Sequence, residues 1–237
     1  MTEHFIVEVA NEQHLHFAET ICAEMESSAK ARGTGIAKRS PDYVQLKIQE
    51  GKAVIATTDK GVWAGFCYIE SWSHGKYVAN SGLIVAPLFR KSGLAREIKQ
   101  RIFALSREKH PDAKIFGLTT GLAVMKINSD LGYEPVTYSE LTQDEAFWHG
   151  CKSCINFDIL TMKERKNCLC TAMLYDPAEK KKTIQKPHFD VTKNAKPMQR
   201  LTNIKRIKFL GNSTKEKIHK QLNEKLYIPV VENEEEE

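Results

Sequence analysis

The segment that most constrains this sequence is residues 83–95, Leu-Ile-Val-Ala-Pro-Leu-Phe-Arg-Lys-Ser-Gly-Leu-Ala. An apolar run ends at Pro87, a short basic loop with Gly93 follows, and the residues from Leu94 onward have the spacing of an amphipathic helix. Amides at a helix start bind anionic groups, and a glycine lets a phosphate approach the backbone closely. The segment therefore predicts a strand, a diphosphate-binding loop and a helix, with Arg90 adding positive charge at the rim.

The flanking sequence alternates between strand and helix patterns. Strands are predicted at 5–9, 53–57, 63–71, 77–85, 114–120, 136–138 and 154–160, and helices at 11–30, 41–50, 94–110 and 122–131. A meander of strands is followed by a strand–helix–strand crossover. This order predicts an α/β (α+β) domain with a mixed, mostly antiparallel central sheet and helices on both faces.

The net charge of +5 is distributed unevenly. Residues 1–177 contain 21 basic and 21 acidic residues, residues 178–229 contain 14 and 4, and residues 230–237 contain five glutamates. This asymmetry predicts a domain boundary near residue 177. It also indicates that the domain before this boundary has no excess of positive charge. We expect four regions, namely a domain at 1–177 with a cysteine-rich hairpin at 148–172, a basic linker at 178–212, an amphipathic helix at 213–227 and an acidic tail at 228–237.

The predicted C-terminal helix carries Ile218, Leu222 and Leu226 at helical spacing, a face that could form a homodimer or bind a protein partner. The basic stretch has few interleaved aromatic residues, Phe189 and Phe209, which argues against nucleic acid as a partner. No apolar run approaches the roughly 20 residues that span a bilayer, so no membrane association is expected. No secretory signal is visible, and the expected location is the cytoplasm.

The loop Arg90-Lys91-Ser92-Gly93-Leu94-Ala95 resembles the pyrophosphate loop of the GNAT acyltransferases, which has the form Arg/Gln-x-x-Gly-x-Gly/Ala. The similarity extends to Leu131-Gly132-Tyr133-Glu134 and covers roughly residues 5–160. It implies the GNAT fold and an N-acyltransferase that uses acetyl-CoA or another acyl-CoA as co-substrate. It also implies that these six loop residues hold the pyrophosphate, that the backbone of Leu83, Ile84 and Val85 pairs with the pantetheine arm, and that an N–H near Val85 stabilises the oxyanion.

A narrower group within this family is similar over several further segments. They are Lys38–Pro41, Gly65–Trp72, Ala79–Val85, Gly117–Tyr133 and Cys168–Cys170. Members of this bacterial group are encoded beside arginine-biosynthesis genes and are proposed to acylate glutamate. The resemblance thus implies transfer of an acetyl or succinyl group to a small-molecule amine, with L-glutamate as the favoured acceptor.

The expected acid and base depart from the family pattern. The family often places a glutamate on the acyl-CoA strand, where this sequence reads Ala79-Asn80-Ser81. Glu70 on the neighbouring strand is the best substitute, and His74 is the second candidate base, although either could be an ordinary strand or turn residue. Asn128 stands where many members carry a tyrosine acid. It could instead hydrogen-bond the CoA sulfur, or the thiolate could leave unprotonated.

A glycine-punctuated loop at 31–39 carries three cations, Arg32, Lys38 and Arg39. Cations beside a CoA site suit an acceptor with two carboxylates, since arginine binds a carboxylate through two hydrogen bonds. The alternatives are a solvated basic loop or a contact with the CoA 3′-phosphate. We assign the three residues to acceptor binding because the family resemblance agrees.

Four of the six cysteines form two close pairs, Cys151-x-x-Cys154 and Cys168-x-Cys170. Two such pairs flanking a strand could hold a structural zinc ion, although Cys-x-Cys is tighter than the usual spacing. The alternatives are plain thiols in a late hairpin and, more remotely, an acyl-cysteine intermediate.

Three functions follow from these patterns: a small-molecule N-acyltransferase, a protein or peptide N-acetyltransferase, and a non-catalytic acyl-CoA sensor. The first needs an enclosed acceptor site and the second needs an open groove. The missing strand glutamate and the missing tyrosine are the features that favour the third.

Overall fold

The computed structural model describes residues 3–31, 33 and 38–179. Its strands are β1 (Phe5–Val9), β2 (Ala53–Thr58), β3 (Trp63–Trp72), β4 (Tyr77–Val85), β5 (Lys114–Thr119), β6 (Glu134–Val136) and β7 (Thr171–Tyr175). Its α-helices are α1 (Ala18–Ala31), α2 (Pro41–Gln49), α3 (Leu94–Lys109), α4 (Leu122–Asp130), α5 (Glu145–His149) and α6 (Phe157–Met162). Short 3₁₀ helices lie at Glu12–Phe17, Pro87–Phe89, Tyr138–Glu140 and Gly150–Ser153.

The seven strands form one mixed sheet in the order β1-β2-β3-β4-β5-β7-β6. All neighbouring strands are antiparallel except β4 and β5, which are parallel. Parallel neighbours need a crossover connection, and α3 supplies it. The sheet is thus mixed and mostly antiparallel, as the sequence predicts.

Helices cover both faces of the sheet because side chains alternate along each strand. On one face, Ile98 and Ile102 of α3 pack with Val54 and Ile69 of the strands. On the other face, residues of α1 and α2 pack with strand residues of opposite parity. That second cluster includes Ile21, Met25, Val44, Ile48, Ile55, Phe66 and Tyr68.

The helix starts follow their local sequence. Ser40 caps α2 by accepting a hydrogen bond from the Tyr43 amide, and Pro41 occupies the first helical position. Asn11 and His14 form a reciprocal capping box. That cap opens a 3₁₀ helix ahead of α1, so the predicted helix at 11–30 is divided into two pieces.

The segment after β6 differs from the prediction. The strand expected at 154–160 and the hairpin expected at 148–172 are wrong, because these residues form α5, a 3₁₀ helix and α6. The strand that completes the sheet is β7, which lies between β5 and β6. The middle of β7 is buried on both faces, so it has no polar–apolar alternation to reveal it.

Among the described residues, no helix is both long enough and apolar enough to cross a bilayer. The linker, amphipathic helix and acidic tail expected after residue 177 lie outside the described residues, apart from 178 and 179. The division of the chain at residue 177 therefore stays a prediction.

Candidate functional site

The central feature of the sheet is an opening between β4 and β5. The two strands pair only where Tyr77, Val78 and Ala79 face Lys114, Ile115 and Phe116. Beyond that point β5 pairs with β7 on its other side, while β4 continues to Val85 along β3. Residues 80–85 of β4 thus have an edge that no described strand covers, and an extended ligand could pair with it as an added strand does.

A bulge in β4 lies beside this opening. Ser81 pairs with Tyr68 and Ile84 pairs with Phe66, so Gly82 and Leu83 face the single residue between them on β3. Gly82 has a φ of 66°. A Cβ there would lie 2.4 Å from the Tyr68 ring and 2.8 Å from Met25 Cε, so only glycine fits.

Past the bulge, β4 turns the backbone of Val85 towards the open edge. The amide of Ala86 donates to the carbonyl of Ala64 on β3 at 2.9 Å. Because hydrogen-bonded and non-hydrogen-bonded pairs alternate in an antiparallel ladder, the N–H and C=O of Val85 point away from β3. The Val85 N–H is thus available to an acceptor atom in the opening.

The loop between β4 and α3 exposes several backbone donors. Lys91 and Gly93 have positive φ values of 66° and 93°, and Gly93 is the residue that caps α3. The amides of Lys91, Ser92 and Gly93 have no hydrogen-bond partner in the part of the chain that the structure describes. Unpartnered amides at a helix N-terminus form an anion site. A Cβ at Gly93 would meet no atom within 4 Å, so the space above the loop is open.

Arg90 does not extend over these amides. Its Nη2 donates to Glu24 Oε1 at 2.6 Å and to Ser28 Oγ at 2.7 Å, both on α1. Its Nε donates to the Val85 carbonyl at 3.1 Å, on the open edge of β4. In this conformation the guanidinium ties the loop to α1, and its contribution of positive charge at the loop rim stays a prediction.

A cluster of polar side chains lies on the α2 face of the sheet, next to the bulge. Glu70 Oε1 is 3.5 Å from Arg39 Nη2, and Glu70 Oε2 is 3.7 Å from Lys47 Nζ. The Tyr43 hydroxyl donates to Glu70, and Arg39 Nε donates to the Tyr68 hydroxyl at 2.7 Å. We call Arg39, Tyr43, Lys47, Tyr68 and Glu70 the β3 polar cluster. It contains two cations and one carboxylate, and a second carboxylate, that of Glu50, lies 3.8 Å from Lys47 at its margin.

Burial and the neighbouring carboxylate keep the phenols of this cluster protonated. Burial and the hydrogen bond to Glu70 raise the pKa of Tyr43 well above its ordinary value. Burial also raises the pKa of Tyr68, although Arg39 acts in the opposite direction. Both hydroxyls are therefore hydrogen-bond donors at neutral pH, and neither is a base.

Lys38, the other predicted acceptor residue that the structure describes, lies outside this cluster. Lys38 has an exposed side chain that lies 3.8 Å from Glu26, and its backbone amide donates to Ser153 Oγ at 3.1 Å. Arg32 lies outside the described residues. Of the two predicted cations that the structure describes, only Arg39 has its side chain in the β3 polar cluster.

The candidate base His74 lies at the opposite end of β4 from Val85. This residue lies in the β3–β4 turn, whereas the phosphate loop follows the other end of β4. Eight residue steps of strand separate Tyr77 from Val85, which is roughly 26 Å at about 3.3 Å per residue. A ligand atom that contacts the Val85 N–H is therefore out of reach of His74, and the role of His74 as a base stays a prediction.

Asn128 of α4 lies under the opening, on the β5 side. Its side chain is buried, and its Nδ2 is 3.6 Å from the Cβ position of Gly117, the first β5 residue beyond the paired region. Its Oδ1 has no hydrogen-bond partner among the described residues. A buried amide oxygen without a partner is costly, so it marks a place where a ligand donor fits.

The four late cysteines line one small cavity of about 30 Å³, together with Tyr138 and Trp148. Burial raises the pKa of Cys151 to about 11 and that of Cys170 to about 12. No group of three or more metal-binding side chains among the described residues is placed to hold a metal ion. The predicted zinc site receives no support from this geometry, which matches plain thiols packed in an apolar pocket.

Sequence reasoning missed three members of the site: Tyr43, Lys47 and Tyr68. Tyr43 and Lys47 lie four residues apart on one face of α2, a spacing that could have indicated a shared surface. Tyr68 carried no signal, because an aromatic residue in a strand is ordinarily a core residue. Only the tertiary structure shows its place in the site, because its hydroxyl accepts a hydrogen bond from Arg39.

No protein-family model matches the sequence, and no curated protein matches it. Solved structures match at the level of the fold. N-acetylglutamate synthase from Neisseria gonorrhoeae, complexed with coenzyme A and N-acetyl-glutamate, has a TM-score of 0.53 and 14% identity over 73% of this chain. The match covers 35% of that synthase, about a third of its length.

Two shorter proteins match over nearly their whole length. A Mycobacterium tuberculosis protein in complex with CoA has a TM-score of 0.52 and 16% identity, covering 72% of this chain and 98% of that one. The Salmonella typhimurium protein yncA, with its cofactor acetyl-CoA, has a TM-score of 0.50 and 12% identity, covering 73% and 94%. The domain therefore has the fold of the GNAT acyltransferases. At these identities the similarity establishes the fold alone.

Proposed function

We propose that the protein is an acyl-CoA-dependent N-acyltransferase that acts on a small-molecule amine, with L-glutamate as the favoured acceptor. The observation that carries the proposal is the opening between β4 and β5, which runs from the unpartnered amides of the phosphate loop towards the β3 polar cluster. A nucleotide thioester with a long polar arm fits a cleft of this form.

The donor half of the site uses backbone groups. The amides of Lys91, Ser92 and Gly93 would bind the pyrophosphate of acyl-CoA, and the free edge of β4 would pair with the pantetheine arm. The Val85 N–H, directed away from β3, would donate to a carbonyl of the pantetheine arm, and the thioester would lie further along the opening, towards Asn80 and Glu70. Much of the rate enhancement then comes from holding the amine and the thioester together.

The acceptor half is the β3 polar cluster. Arg39 and Lys47 would bind carboxylates, while Glu70 would accept a proton from the attacking amine. In the free protein Glu70 is held by these same two cations. An acceptor that brings its own carboxylates can compete for them and release Glu70, which favours an acidic amino acid.

A contact across the acceptor side favours a small molecule over a peptide. The Lys38 amide is hydrogen-bonded to Ser153, a residue 115 positions later in the 3₁₀ helix after α5. This contact joins the start of α2 to the late helical segment. A peptide acceptor would need an open groove at this place.

The test is a CoA-release assay of the full chain with acetyl-CoA and succinyl-CoA across a complete amino-acid panel. Glutamate should stimulate release more than any neutral or basic amino acid, with one of the two acyl donors clearly preferred. Glutamine is the matched control acceptor because it lacks only the side-chain charge. If no amino acid stimulates release, the glutamate proposal is wrong.

Calorimetry with CoA separates the remaining outcomes. Binding of CoA without turnover on amino acids or on peptides would identify an acyl-CoA sensor. Turnover on peptides alone would identify a peptide N-acetyltransferase. Absence of CoA binding would overturn the donor half of the site.

A further inference from the structure

Lys99 of α3 is a buried lysine without a carboxylate partner. Its side chain is 2% exposed, and its Nζ has one hydrogen-bond acceptor, Asn80 Oδ1, at 3.4 Å. No ion pair involves it within the part of the chain that the structure describes. Burying an ammonium group that has no counter-ion, and whose N–H donors are not all hydrogen-bonded, costs free energy. We therefore expect this lysine to have a function.

The titratable groups around Lys99 are neutral. Cys67 of β3 and Tyr133, which follows α4, face it, and Tyr175 of β7 lies beyond Tyr133. Burial raises the pKa of Cys67 to about 11 and that of Tyr133 well above its ordinary value. Burial lowers the pKa of Lys99 to about 8, and the interaction with Cys67 acts in the opposite direction. Lys99 is therefore the one charge in this group at neutral pH.

Lys99 lies at the vertex of the opening, by which we mean the point where β4 and β5 separate. Asn80 is the first β4 residue beyond the last pair with β5, and its Oδ1 also accepts the Tyr133 hydroxyl at 3.0 Å. Its Nδ2 donates to Ser106 Oγ at 2.7 Å, which fixes the amide. Across the vertex, Asn128 lies against Gly117 with its Oδ1 unpartnered.

Two incompletely satisfied polar groups thus flank the same vertex: an ammonium with unused donors and an amide oxygen with no donor. Tyr133 ties them together, because its hydroxyl bonds Asn80 and its backbone amide bonds the Asn128 carbonyl at 3.0 Å. This arrangement suits a ligand atom that is anionic or becomes so during the reaction. In the proposed reaction that atom is the CoA sulfur.

We propose that Lys99 is the cation that stabilises the CoA thiolate at the vertex, with Asn128 beside it. The inference rests on the proposed acyltransferase function. In the step, the amine nitrogen forms a bond to the thioester carbon and the C–S bond breaks. Its electron pair goes to sulfur, and the amine proton leaves towards Glu70. Lys99 stays protonated, so the leaving thiolate needs no tyrosine acid.

The first test measures the ionisation of bound CoA. The full chain is titrated with CoA at a series of pH values, and thiolate absorbance in the ultraviolet is recorded against the complex with desulfo-CoA. The wild-type protein should lower the pKa of the bound thiol by at least one unit below that of free CoA, a tenfold change in its acid dissociation constant. Lys99→Met should abolish the shift and Lys99→Arg should keep part of it. A bound thiol with an unchanged pKa in the wild type overturns the inference.

The second test is steady-state kinetics of the same variants. Lys99→Met should lower kcat on the order of 100-fold while the KM for acyl-CoA changes little, by analogy with the loss of one charge-stabilising donor. Lys109→Met, an exposed lysine in the last turn of the same helix, is the control and should be unchanged. Normal kcat in Lys99→Met, with an active wild type, refutes the role of Lys99 alone. An inactive wild type that still shifts the thiol pKa refutes the proposed function alone.

Discussion

At the residue scale, two glutamates, Glu70 and Glu50, contact the same lysine but differ in their other partners. Lys47 Nζ is 3.7 Å from Glu70 Oε2 and 3.8 Å from Glu50 Oε2. Glu70 also binds Arg39 and Tyr43, whereas Glu50 also binds Lys52 at 2.9 Å, away from the bulge. In the proposed function, Glu70 and not Glu50 would therefore act on the acceptor amine.

We expect Glu70→Gln to lower kcat by about 100-fold or more, because general-base catalysis contributes on the order of 10²–10⁴-fold. Glu50→Gln keeps the same lysine contact and should retain nearly full activity. The measurement is kcat for CoA release with saturating acceptor. Equal loss in both variants would mean that Lys47 placement matters and that Glu70 is not the base.

Arg90 is the second residue whose contacts only the structure shows. Because its guanidinium holds α1 and the Val85 carbonyl, Arg90→Ala should loosen the loop and raise the apparent KM for acyl-CoA on the order of 10-fold, or about 1.4 kcal/mol. Arg96→Ala is the control, since Arg96 pairs with Asp130 on an exposed surface. Unchanged kinetics in Arg90→Ala would remove this residue from the donor site.

At the scale of elements, the bulge in β4 depends on one glycine. Gly82→Ala should cost about 1–3 kcal/mol of unfolding free energy, from the positive φ and from the contact with Tyr68. Gly61→Ala is the matched control, because Gly61 has a φ of 74° with no atom within 4 Å of its Cβ position.

Urea denaturation of both variants separates backbone strain from the clash. Gly82→Ala should be the less stable of the two and should also show a raised KM for the acceptor, because Tyr68 positions Arg39. Equal destabilisation would mean that the clash is relieved by movement of Tyr68. An unchanged KM for the acceptor would separate Tyr68 from the acceptor site.

Elements with a strong local signal were predictable and others were not. The strands from β1 to β5, the capped start of α2 and the amphipathic α3 agree with the sequence prediction, because alternation, capping and helical periodicity are local properties. The sequence prediction missed the short β7, whose middle is buried on both faces, and took α6 for a strand. A short apolar run is compatible with either a buried strand or a buried helix, so it does not distinguish between them.

At the scale of the whole molecule, the buried charge of Lys99 links stability to pH. The Lys99 pKa is about 8 in the folded chain and 10.5 ordinarily. Between these values the unfolded chain binds more protons, so stability from this group rises as pH increases from 8 to 10.5. Below pH 8 the folded state carries the full penalty, which is about 3 kcal/mol.

We therefore expect Lys99→Met to be more stable than the wild type at pH 7 by up to about 3 kcal/mol, with the gain shrinking towards pH 10.5. The measurement is urea denaturation of both proteins at pH 7 and pH 10. A pH-independent difference would show that packing, and not the charge, accounts for the change.

The sequence by itself determined the strand–loop–helix segment and the strand–helix–strand crossover, because glycine, helix periodicity and strand patterns act over a few residues. Tertiary structure alone decided which side chains meet. Arg90 turns to α1, Glu70 lies between Arg39 and Lys47, His74 is at the far end of its strand, and Lys99 lies at the vertex of the opening. These placements depend on strand register and on packing between residues distant in sequence, and local sequence patterns carry no information about either.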